Sequence, residues 1–69
     1  MNIMQQITER IKKHIDYSGK TLTRIAEEIG LTCQTVSQYY HGKSFPSLES
    51  LIKLCKSLDC TYEDILGPL

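Results

Sequence analysis

Gln34, Ser37, Gln38 and His41 lie close together in the stretch CQTVSQYYHGKS, residues 33–44. On a helix turning about 100° per residue they fall, with Cys33, inside an arc of about 140°. That face carries neutral hydrogen-bonding groups and no acid. The chemistry such a set can do is recognition rather than reaction. A glutamine amide can form two parallel hydrogen bonds with adenine N6 and N7, and a serine hydroxyl can donate or accept at a base edge. The same groups would also serve as ordinary solvated surface, and one helix taken alone does not decide between the two.

Reactive chemistry has less support. Cysteines stand at 33, 55 and 60, an odd number without a CxxC, so neither a disulfide framework nor a zinc site fits. His41 has no second His or Cys at local ligand spacing, because His14 belongs to another helix; it reads as a helix-terminating residue near phosphate or solvent. Cys33, in the first turn of a helix, is expected to be a small side chain for a thymine methyl rather than a redox switch. Cys55 falls at an inward position and Cys60 in the following turn, both inert. Glu27-Glu28, Asp59 and Glu63-Asp64 read as a solvated helix face and a helix N-terminus, with no pair framed by histidine or glycine as a catalytic site would be. No enzyme, cofactor or small-molecule ligand is expected.

The chain is 69 residues long, 41% apolar and formally neutral. That suits a single small domain, residues 1–69, that buries only about 60% of its unfolded surface. The apolar fraction is too high for a disordered tail. No apolar run approaches the roughly 20 residues that cross a bilayer, and the N-terminus has no signal-peptide core, so a cytoplasmic setting without membrane contact is expected. Any basic surface must be local, since net charge casts no vote for nucleic acid.

Periodicity divides the chain into five helices. Ile3, Ile7, Ile11 and Ile15, with Met4, form one face over residues 2–17, opposite Glu9, Arg10, Lys12 and Lys13. Thr21 caps a second helix with Leu22, Ile25, Ala26 and Ile29 inward, and Gly30 takes the position that favours left-handed backbone. Thr32 caps a third helix, 33–40, ended by His41-Gly42. Ser47 caps a fourth, with Leu48, Leu51, Ile52, Cys55 and Leu58 inward. Thr61 caps a last short one, Tyr62 to Leu66. No period-2 run suggests a strand. The link Gly30-Leu31-Thr32 is too short for parallel axes, so helices two and three should cross steeply, with Ala26 at the contact and Val36 and Tyr39 turned toward Ile25 and Ile29.

Residues 22–66, containing IAEEIGLTCQTVSQYYHGKSFPSLESLIKLCKSLDCTYEDIL, resemble the phage-repressor and Cro-like (XRE) helix-turn-helix family. The resemblance rests on Ile25, Ala26, Gly30, Val36 and Tyr39 at helix-turn-helix spacing, then on the GK loop, PSLESLIKL and the closing Thr-Tyr-Glu-Asp-Ile-Leu. It implies an all-α, compact five-helix lambda-repressor-like domain with its helix-turn-helix core at 21–41. It also implies a sequence-specific regulator of transcription, a repressor, whose third helix enters the major groove of double-stranded DNA. Position by position, Cys33, Gln34, Ser37 and Gln38 become base-facing. Thr21, Thr32, Thr35, Tyr40, His41, Lys43 and Ser44 become candidate backbone contacts.

Two positions depart from the family pattern. Leu22 stands where many relatives place a glutamine that touches the DNA backbone, and His41 stands where many have asparagine before the glycine. Less grip per module implies a homodimer, at least on DNA, bound to a palindromic operator. Tyr62, Ile65, Leu66 and Leu69 are the expected self-contact. The competing class is a protein-interaction adaptor or an antitoxin component using the same fold; neutral net charge favours it, whereas Arg24 and Lys43 beside an acid-free face favour DNA.

Overall fold

A computed structural model describes residues 2–69. In chain order the helices are α1 (Ile3–Ser18), α2 (Leu22–Ile29), α3 (Cys33–Tyr40), α4 (Leu48–Leu58) and α5 (Tyr62–Leu66), with no strand among the described residues. Each helix begins at a side-chain cap. Asn2 Oδ1 accepts from the Gln5 amide at 2.8 Å while Gln5 Oε1 accepts from the Asn2 amide at 3.1 Å, which starts α1 one residue later than expected. Thr21, Thr32, Ser47 and Thr61 cap the other four, accepting from the amides of Arg24, Thr35, Ser50 and Asp64. Each such bond satisfies an amide that has no partner within its helix, worth about 1 kcal/mol.

The core gathers one stripe from every helix. It contains Ile7, Ile11 and Ile15 of α1, Ile25, Ala26 and Ile29 of α2, Val36 of α3, Leu51, Leu54, Cys55 and Leu58 of α4, and Ile65 of α5. Tyr39 is buried beside them. Each fully buried aliphatic side chain contributes about 1.5–3 kcal/mol against chain entropy.

Several expectations are corrected by the burial of the side chains. Ile3 and Met4 continue the α1 stripe but project past the bundle and are exposed, as is Leu48 at the start of α4. Leu54, not expected inward, is buried, and Ile52 is only half-buried. Ile65, expected on the surface as a dimer contact, is 1% exposed and belongs to the core.

Two charged residues expected in solvent hold elements together. Glu28 is bound by the Ser57 hydroxyl at 2.6 Å and by Lys20 Nζ at 2.8 Å, joining α2 to α4, while Arg24 Nε donates to its other oxygen at 3.1 Å. Those donors hold the Glu28 carboxyl well down, to about 2, with the Lys20 bond the largest cause. Arg10 of α1 turns inward to donate to the carbonyls of Ile65, Gly67 and Pro68, which closes the C-terminal end of α5. Carbonyls there lack helical partners, and a guanidinium suits the negative end of the helix.

Candidate nucleic-acid interface

The turn between α2 and α3 is set by Gly30 at φ +75°, a left-handed conformation that costs a residue with a Cβ about 1–2 kcal/mol. It lets Leu31 N donate back to the Ala26 carbonyl at 3.0 Å, after which Thr32 opens α3. The two helices meet over Ile25, Ala26 and Val36, all nearly inaccessible. At the outer end of the pair the Thr23 hydroxyl donates to Cys33 Sγ at 3.5 Å. The crossing is thus fixed on its buried side by apolar contact and on its outer side by one weak hydrogen bond.

α3 presents its polar face outward. Cys33 and Gln34 are exposed, and Ser37 and Gln38 are half-buried one turn later. All four lie on the side opposite the buried Val36 and Tyr39, and no acid interrupts them. At the amino end of α3, Thr32 Oγ1 accepts from Thr35 N at 3.1 Å, and the two hydroxyls share a 2.9 Å bond that leaves one proton between them for an outside acceptor. At the carboxyl end His41 closes the helix and Lys43 N donates to the Gln38 carbonyl at 2.9 Å, with Ser44 N on the same oxygen at 3.4 Å. Lys43 is therefore held one step beyond the polar face, exposed, and free of any ion pair among the described residues.

That loop is braced from α1. Gly42 adopts φ +72°, and a Cβ built on it would lie 2.9 Å from Thr8 Cγ2. Glycine is required there twice, for its backbone conformation and for the close approach. Thr8 had no local signal in the sequence, since its contact joins residues 34 positions apart.

Two other candidates are committed elsewhere. Arg24 is on Glu28, so it does not stand free as the sequence suggests. The Tyr40 hydroxyl, expected at a phosphate, donates to Asp16 Oδ1 of α1 at 2.7 Å. That bond, first among the causes, raises the Tyr40 phenol above its ordinary value. A phenol has one proton to give, and here it is given inside the chain. Lys12 Nζ lies 5.4 Å from the centre of the Tyr40 ring, and the His41 ring meets it edge-on at 5.1 Å. Thr21 caps α2 at the edge of the same corner.

Among the described residues no three His, Cys, Asp or Glu side chains gather as metal ligands. Cys60 is pushed up to about 12 and Cys55 is raised as well, burial being the first cause in both. No helix among the described residues is long and apolar enough to cross a membrane.

The sequence has counterparts among known proteins. A family model of the Cro/C1-type HTH DNA-binding domain matches residues 10–68. The cryptic phage CTXphi transcriptional repressor RstR of Vibrio cholerae serotype O1 is 27% identical over 62 residues, covering 90% of this chain. The chain spans 55% of the length of that relative. No solved structure matches.

Proposed function

This chain belongs to the Cro/C1-type HTH DNA-binding domain family, and from that premise we propose that it represses transcription by inserting α3 into the major groove of an operator. The observation that carries the proposal is the exposed, acid-free face of α3, with a cap hydroxyl at one end and the unpaired Lys43 at the other. In it Gln34 and Gln38 take base edges through their amides, Ser37 adds a hydroxyl, and Cys33 lies near a thymine methyl. Thr21, Thr32, Thr35, His41, Lys43 and Ser44 hold backbone phosphates and so fix the register of the helix. Tyr40 joins them only by letting go of Asp16. Repression is inferred from the CTXphi relative, a transcriptional repressor.

The operator is palindromic and the bound form is a dimer. One module of this kind buries about 600–1,000 Å² on DNA, so two half-sites about 34 Å apart would double the contact. Tyr62, Leu66 and Leu69 remain exposed at the α5 end and supply apolar surface for the self-contact. Titrating the protein against a random duplex pool at two salt concentrations tests the proposal. Binding that weakens linearly in log affinity with log salt supports it. Absence of salt-dependent binding favours the adaptor function instead.

A further inference from the structure

The cleft between the last turns of α1 and the start of α2 is lined by Asp16, Gly19, Lys20, Thr21, Leu22 and Tyr40. Most of what surrounds it suits an anion. The Thr21 hydroxyl takes the Arg24 amide at the start of α2, and the helix dipole favours negative charge at that end. The phenol of Tyr40 is a donor, and Lys12 lies over its ring. Lys20 does not compensate the acid that sits among these groups, because its ammonium is turned away onto Glu28 and the Ser57 carbonyl.

We propose that Asp16 is an internal competitor for the DNA backbone, its carboxylate holding the Tyr40 hydroxyl at 2.7 Å in place of a phosphate and thereby setting the affinity of the interface downward. The proposal rests on the DNA-binding function argued above. Two effects act together. Tyr40 cannot donate to a phosphate without leaving Asp16, and a carboxylate beside the cleft repels any phosphate that approaches the start of α2. Unit charges about 4–8 Å apart near water interact weakly, so removing this one should tighten binding about two- to sixfold at low salt. Screening should shrink the gain as salt rises.

The test uses the full chain with Asp16→Asn, Asp16→Ala and Tyr40→Phe, titrated by fluorescence anisotropy against a random duplex pool at two salt concentrations. Asp16→Asn keeps an acceptor for Tyr40 and removes only the charge; Asp16→Ala removes both. The expected result is tighter binding by both, with the gain larger at low salt. A residue with a merely structural role would not tighten binding when removed. Tyr40→Phe should take back part of the gain when added to Asp16→Ala. If wild type binds in a salt-dependent way and neither Asp16 variant binds more tightly, the proposal is overturned. It is also overturned if adding Tyr40→Phe to Asp16→Ala takes nothing back, because the phenol would then play no part in the gain. If no variant binds duplex at any salt, the DNA-binding function itself fails and this inference with it.

Discussion

Oγ of Ser57 lies 2.6 Å from Oε1 of Glu28, and Ser57 is the one polar residue buried in the described chain. The bond ties the far end of α4 to α2, and so to the helix-turn-helix itself. Because the Glu28 carboxyl titrates at about 2 when folded, below its ordinary 4.5, its bonds stabilise the fold fully above about pH 4.5. That contribution is lost as pH falls from 4.5 toward 2. Glu28→Gln should melt below wild type at neutral pH and show a shallower loss of stability on acidification. Some acid dependence should persist through Asp64, whose carboxyl is lowered chiefly by the Thr61 amide. Parallel acid profiles for wild type and Glu28→Gln would remove Glu28 from this role.

Gly42 should resist substitution more than its exposure suggests. Alanine at φ +72° is expected to cost about 1–2 kcal/mol in backbone strain, with the Thr8 methyl adding a clash. In a domain of this size each kcal/mol lowers the melting temperature by roughly 4–8 °C. In a Thr8→Ser background, which lacks that methyl, Gly42→Ala should cost less. Equal costs in the two backgrounds would mean that the loop is not braced on α1.

Ala26, 3% exposed, is the small residue at the crossing of α2 and α3. Ala26→Leu should force the helices apart and cost roughly 1–3 kcal/mol by overpacking. A melting temperature within a degree or two of wild type, with DNA binding intact, would show that the crossing tolerates bulk.

What was legible in the sequence was what local chemistry decides. Thr21, Thr32, Ser47 and Thr61 cap helices because a short hydroxyl side chain reaches the amide three residues on, and Gly30 marks a turn for steric reasons of its own. The polar face of α3 follows from helical rotation alone. The misplaced residues depend on distant partners. Ile3, Met4 and Leu48 continue apolar stripes yet lie exposed, whereas Leu54 is buried, because burial depends on what packs opposite and not on local periodicity. Arg10 reaches 55 residues along the chain to Ile65, Glu28 reaches 29 to Ser57, and Tyr40 reaches 24 back to Asp16. None of these pairings leaves a mark in the sequence near either member.

Lys43, beyond the end of α3, should contact phosphate rather than a base. Lys43→Ala is expected to weaken preferred and random duplexes alike, lowering the salt slope by about one. A loss confined to one sequence would make Lys43 a reader instead.

The most direct measurement compares Gln34→Ala with wild type on a duplex selected from the random pool and on unselected duplex. Gln34 is exposed in the first turn of α3, where its amide can reach a base edge. The variant should lose about 1–3 kcal/mol on the selected duplex and little on the unselected one, flattening preference at one base pair per half-site. Undiminished discrimination by Gln34→Ala would contradict α3 as the helix that reads DNA.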